Sequence, residues 1–100
     1  MADQRKVAVV TGGRRGIGFG IAGKLAEDGC DLAIAAVSDP AAAEREMDEL
    51  RALGAEVLYC RCDVSDKADR AALVDAVRDR FGRLNVLINN AGVFNTPNPV

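Results

Sequence analysis

The chain has 100 residues with 13 basic and 15 acidic side chains, a formal net charge of −2, and no basic stripe of the kind a nucleic-acid footprint needs. Hydrophobic residues make up 49% and aromatics only 4%, which suits an aliphatic core of strands buried on both faces better than an aromatic-rich antiparallel sandwich. No run approaches the ~18 apolar residues of a membrane span. The charged start "MADQRK" precedes an apolar run too short for a secretory leader, so the reading is one soluble cytoplasmic domain or part of one, with no membrane partner.

In chain order, "KVAVVTG" (6–12) is a wholly apolar, β-branched run ending in glycine, the pattern of a buried strand. From Gly16 to Asp28, Ile17, Ile21, Ala22, Leu25 and Ala26 form an i, i+4 stripe that predicts a helix, stopped at Gly29. "DLAIAAV" (31–37) is a second strand. "SDPAAAEREMDELRALG" then offers Ser38 or Asp39 as cap, Pro40 in the first turn, Met47, Leu50 and Leu53 as the buried stripe, and Gly54 as stop.

A third strand is expected over "AEVLYCRC" (55–62). "SDKADRAALVDAVRDRFG" repeats the helix formula, with Ser65 or Asp66 as cap, Leu73, Val74, Val77 and Phe81 inward, and Gly82 as stop. "LNVLINNAG" (84–92) is a fourth strand running into a turn, and "VFNTPNPV" reads as loop or as the point where a longer chain was cut. Strand and helix in unbroken alternation imply parallel strands joined by right-handed crossovers, the first half of a doubly wound α/β sheet with helices on both faces. Three cysteines include no C-x-x-C pair. Cys60 and Cys62 share one face of a strand and read as small buried thiols rather than metal or redox groups.

The stretch "TGGRRGIG" (11–18) lies between the first strand and the first helix. A helix start offers unpaired N–H groups and the positive end of the macrodipole, a seat for pyrophosphate when side chains do not block it. Gly12 can form the tight turn out of the strand, Gly16 can let backbone reach the phosphates, and Gly18 can let the helix pack closely. A P-loop is excluded, because no Gly-Lys-Ser/Thr follows.

This T-G-x-x-x-G-x-G spacing resembles the cofactor turn of the short-chain dehydrogenase/reductase family. Three further stretches keep register with it: "CDV" (62–64), "FG" (81–82) and "NNAG" (89–92). The resemblance covers nearly the whole chain. It implies a Rossmann-like sheet with its first four strands in the order 3-2-1-4. Gly12, Gly16, Ile17 and Gly18 would then border the pyrophosphate. Asp63 would bond the adenine amino group, with the Val64 backbone beside it, and Asn90, Ala91 and Gly92 would lie along the adenosine ribose and phosphates. Read without the family, Asp63 is a carboxylate capping the third helix, and Asn89 and Asn90 are turn residues satisfying loop carbonyls; by the resemblance, Asn89 ties neighbouring strands together.

The family transfers hydride between nicotinamide and a carbonyl or alcohol carbon, using a Ser and a Tyr-x-x-x-Lys pair. The one tyrosine here, Tyr59, is followed four places on by Asp63 and reads as packing, so no residue of 1–100 is a credible catalyst. Family chains run to about 250 residues in one domain. The sequence therefore reads as the N-terminal cofactor-binding portion of an oxidoreductase acting on a 3-oxoacyl thioester, sugar or polyol, homo-oligomeric (tetramer or dimer) at full length. The competing reading is a stand-alone dinucleotide-binding or interaction module.

Cofactor choice turns on the end of the second strand, where NAD-preferring members place an acid that repels a 2′-phosphate. The matching position is Ala36, followed by Val37 and Ser38, whose hydroxyl could donate to a phosphate. Arg14 and Arg15 precede Gly16, and by resemblance Arg15 reaches the 2′-phosphate. NADP is the expected cofactor and NAD the alternative, with Asp39 the one nearby acid that a shifted loop could bring into play.

Overall fold

The strand–helix alternation written into the sequence is the architecture of the protein, seen in a computed structural model that describes residues 5–12 and 16–90. The elements are β1 (Val7–Thr11), α1 (Gly16–Glu27), β2 (Asp31–Ala36), α2 (Pro40–Ala52), β3 (Val57–Arg61), α3 (Lys67–Phe81) and β4 (Val86–Asn89). All strand pairs are parallel and the order is β3-β2-β1-β4. In register, Val9 pairs Ala33 on one side and Leu87 on the other, and Ala33 pairs Leu58.

Side chains of β1 and β2 alternate between two cores. Ala8, Val10, Leu32 and Ile34 meet Ala22 and Ala26 of α1 and Ala43, Met47 and Leu50 of α2. Val7, Val9, Ala33 and Ala35 meet Cys62 and Leu73 and Val77 of α3. The buried stripe of α1 is Gly18, Ala22 and Ala26, three small residues that let the helix axis approach the sheet. Both thiols of Cys60 and Cys62 belong to the α3 side, as their spacing predicts.

Aspartates fix the starts of the later helices. Asp39, not Ser38, caps α2 by accepting the Ala41 N–H at 3.1 Å, with Pro40 in the first turn. Asp66, not Ser65, caps α3, accepting the N–H groups of Ala68 and Asp69 at 2.8 and 3.4 Å. At the amino ends of the strands, Asp31 Oδ1 accepts from Arg5 Nε at 2.8 Å and from the Glu56 N–H at 3.0 Å. Asn85 exchanges two bonds with the backbone of Val7.

Three residues expected in the core are not there. Ile17 is 77% exposed, because the stripe facing the sheet starts one position later, at Gly18, and a helix turns through 100° per residue. Leu53 is 44% exposed because α2 ends at Ala52 and Leu53 is its C-cap; Ala43 takes its place in the stripe. Val74 is 47% exposed, since Leu73 and Val77 alone meet the sheet. The strands are also shorter than the apolar runs, with β3 and β4 beginning at Val57 and Val86 rather than at Ala55 and Leu84.

Candidate functional site

In an open parallel sheet, ligands bind outside the carboxyl ends of the strands where the strand order reverses. Here that point lies between β1 and β4. The chain leaves β1 toward β2 through α1 on one face, and it returns from β3 through α3 on the other face to pair β4 with the far side of β1. The two strand ends are joined there by side chains. The Thr11 hydroxyl lies as donor 3.2 Å from Asn89 Oδ1 and 3.4 Å from the Ile88 carbonyl oxygen. The Thr11 hydroxyl oxygen in turn accepts the Asn90 N–H at 2.9 Å. Thr11 and Asn89 thus tie neighbouring strands. Thr11 was not singled out in the sequence; its signal was a hydroxyl closing an otherwise apolar strand.

The glycines differ in what they do. Gly12 leaves β1 with φ +69°, its N–H still bonded to the Ala35 carbonyl at 2.7 Å, and Gly16 opens α1 with φ +65°. Both angles favour glycine, and a Cβ on Gly16 would stand in open space, so that position is both strained for other residues and accessible. Gly18 is the reverse. Its backbone is ordinary, but a Cβ would overlap the Gly12 carbonyl oxygen and stand 2.8 Å from Asn90 Nδ2. Gly18 therefore seats the start of α1 against the turn and against the end of β4. The first turn of α1 carries no acidic side chain, and its leading N–H groups have no intrahelical acceptors. The positive end of the macrodipole favours an anion at such a position.

Around this point the remaining candidates take their places. Ile17 presents its side chain to solvent beside the turn. Ser38 sits half-buried beyond β2, its carbonyl accepting the Tyr59 hydroxyl at 2.8 Å. Asp39 is engaged at the start of α2 and so is turned to that helix. Asp63 is exposed just beyond β3, where its Oδ1 accepts the Ser65 hydroxyl at 2.7 Å and the Ser65 N–H at 3.0 Å. The hydroxyl bond, then the N–H bond, hold its carboxyl below the ordinary range. Asp63 therefore shapes the loop rather than capping α3, and Oδ2 has no hydrogen-bond partner among the described residues. The Val64 carbonyl accepts Arg70 Nη1 at 2.7 Å. Arg14, Arg15, Ala91, Gly92 and the segment 93–100 lie outside the described residues.

Among the described residues no group of three or more His, Cys, Asp or Glu side chains could hold a metal ion. No helix among them is long and apolar enough to cross a membrane. An apolar groove of about 530 Å³ opens between α3 and β4. Leu73, Val74, Val77, Leu84 and Leu87 line it, and Thr11, Val64 and Asn89 line it too, where the strand ends meet.

Known proteins share this arrangement. The family model for short chain dehydrogenase matches residues 6–100. The L-2,3-butanediol dehydrogenase of Corynebacterium glutamicum is 40% identical over 91 residues, 88% of this chain and 34% of its own length. A 3-oxoacyl-[acyl-carrier protein] reductase from Brucella melitensis, solved in complex with NAD, superposes with a TM-score of 0.83 at 47% identity, over 91% of this chain and 35% of that one. An actinorhodin polyketide ketoreductase variant solved with NADPH gives a TM-score of 0.82 at 40% identity, over 92% of this chain and 35% of that one. The chain spans about a third of the length of the curated relatives it matches.

Proposed function

The chain belongs to the short chain dehydrogenase family, and from that premise we propose that it forms the dinucleotide-binding part of an NAD(P)-dependent oxidoreductase. One observation carries the reading: the glycine turn and the start of α1 sit at the strand-order reversal, with Gly18 locked against Gly12 and Asn90 and with open space at Gly16. A helix start with no acid in its first turn and open to backbone approach at Gly16 supports a pyrophosphate seat, drawn by the N–H groups and the positive end of the macrodipole. Bound there, the nicotinamide would give or take a hydride from a carbonyl or alcohol carbon.

The work of this chain is to bind and orient. Gly12, Gly16, Ile17 and Gly18 border the pyrophosphate. Asp63, oriented by Ser65, accepts a hydrogen bond from the adenine amino group through Oδ2, with the Val64 backbone beside it. Asn90, Ala91 and Gly92 follow the adenosine ribose. Tyr59 is packed against β2 with its hydroxyl committed to Ser38, so acid–base chemistry falls to residues of a longer chain, in which this stretch is the N-terminal portion. Substrates of the whole protein are a 3-oxoacyl thioester, a sugar or a polyol; relatives named for a 3-oxoacyl thioester and for a diol support that range. The whole protein is cytoplasmic and a homo-oligomer.

NADP(H) is the preferred cofactor. Ala36 provides no acid to repel a 2′-phosphate, and Asp39 is held by the start of α2. Arg15 supplies a guanidinium next to the turn, and the Ser38 hydroxyl a second donor. Titration of the whole protein should give NADPH a dissociation constant about ten- to a hundredfold below that of NADH, and Arg15→Ala should shrink the gap. Equal affinities at the outset, or a gap unchanged by the substitution, would overturn the preference; failure to bind either dinucleotide would overturn the whole reading. The 100-residue chain alone should turn over no carbonyl substrate.

A further inference from the structure

The end of β3 holds a cation that neither the glycine turn nor the adenine loop uses. Arg61 is the last residue of β3, and its register partner across the ladder is Ala36, the last residue of β2. Ala36 is the position from which an acidic side chain would accept the ribose hydroxyls in an NAD-preferring site. Register partners in a parallel pair point to the same face of the sheet. The Arg61 side chain therefore rises on the face that carries α1 and α2, beside Tyr59, over the loop that follows β2.

The loop itself holds the guanidinium in place. Arg61 Nε donates to the Val37 carbonyl oxygen at 3.2 Å, while the Tyr59 hydroxyl fixes the next carbonyl, that of Ser38, at 2.8 Å. Arg61 is exposed and forms no ion pair among the described residues. This sets it apart from Arg5, Arg51, Arg78 and Arg80, each bound to a carboxylate. With Nε committed to Val37, both Nη groups stay open to a ligand, and a planar guanidinium anchored on one edge has already lost much of its rotational freedom. Of the acids near it in sequence and in the loop after β2, Asp63 accepts two hydrogen bonds from Ser65 and Asp39 accepts the Ala41 N–H.

We infer that Arg61 is a specificity-determining residue that receives the 2′-phosphate of NADP(H) from the β3 side, opposite the glycine turn. This rests on the dinucleotide-binding reading above and adds to it a contact that the glycine turn does not provide. The phosphate would lie over Ala36 and Val37, between Arg61 and Ser38, its charge answered by a guanidinium that forms two charge-assisted bonds.

The test is a fluorescence titration of the whole protein and of its Arg61→Gln and Arg61→Lys variants with NADPH and with NADH. The expected result for Arg61→Gln is a loss of NADPH affinity of about tenfold or more with NADH affinity unchanged, and a smaller loss for Arg61→Lys. A merely structural role for the Val37 bond would instead weaken both dinucleotides together, and that outcome overturns the inference. So does an unchanged NADPH affinity in both variants while the parent protein still binds NADPH, which leaves the dinucleotide site standing. A parent protein that binds neither dinucleotide removes the site and the inference together. Unchanged NADH affinity also shows that the variants are folded.

Discussion

On the face that carries α1 and α2, β1 and β2 bury Ala8, Val10, Leu32 and Ile34 completely, and β4 adds Val86 and Ile88 at the margin. On the other face α3 is the one helix among the described residues that covers Val7, Val9, Ala33 and Ala35, and Leu87 of β4 is left 61% exposed along the groove. The strands on the two sides of β1 are built from the same kinds of residue. β2 is buried along almost its whole length, because it has a strand on each side and helices above and below. β4 alternates between half-buried and exposed, because among the described residues it has one neighbour and one covered face. An apolar run announces that a strand can be buried, and the neighbours determine how far it is.

The largest test of that comparison is a pair of truncations. Ile34→Ala should cost about 2–5 kcal/mol by lost burial plus an unfilled cavity, whereas Leu87→Ala in the 100-residue chain should stay within about 0.5 kcal/mol. Urea midpoints measure both. In the whole protein, where further elements would close over the groove, the cost of Leu87→Ala should rise toward that of Ile34→Ala. Equal costs in the short chain would break the contrast.

The close fit on the α1 side is probed at the glycines. Gly18→Ala forces a methyl into the Gly12 carbonyl and should cost about 1–3 kcal/mol, together with most of the dinucleotide affinity. Gly16→Ala meets no neighbour and should cost about 1 kcal/mol through its left-handed backbone alone. Thermal unfolding in the whole protein ranks the two. If Gly16→Ala proves the more damaging to stability, steric closure at Gly18 is not what holds the turn.

On the α3 side the groove itself is the target. The 100-residue chain should self-associate as concentration rises, because exposed Leu84, Leu87 and Val74 form one apolar surface beside an unpaired strand edge. Leu87→Lys should weaken that association in sedimentation experiments. A chain that remains monomeric at all concentrations would mean that the groove is closed in solution.

The smallest effect is one of pH. Burial, then the charge of Cys62, pushes the Cys60 thiol up; burial, then Asp69 and Asp63, pushes Cys62 up. Folding therefore favours the protonated thiols. Their contribution is complete below the ordinary thiol value of about 8.5 and is lost as pH rises through the higher folded values. Stability should fall above that pH, and Cys60→Ser should flatten the fall. Rapid alkylation of the native protein at neutral pH would contradict it.

How much of this was legible before folding varies from residue to residue. The period-two and period-3.6 patterns, the capping aspartates and the helix-ending glycines are local signals, and they located every element. The ends were less exact, because pairing rather than hydrophobicity sets where a strand begins, as at Val57 and Val86. The glycine spacing marked the turn. It assigned the tight turn to Gly12 and close packing to Gly18, but which atoms close on Gly18, the Gly12 carbonyl oxygen and Asn90 Nδ2, is visible only in the fold.

By itself the sequence determined the alternation, the aliphatic core and the turn at "TGGRRGIG", since each depends on residues within a few positions of one another. The tertiary structure alone decided that Ile17 faces solvent, that Thr11 binds Asn89 and Asn90, and that Arg61 stands beside Ala36. The first follows from which side of α1 meets the sheet, and the other two from which strand pairs with which and in what register. Residues 78 and 79 positions apart are brought within bonding distance there, and Arg61 is set beside Ala36, 25 positions away; the alternating pattern fixes which face a residue takes, while the identity of the partner strand lies outside any local stretch.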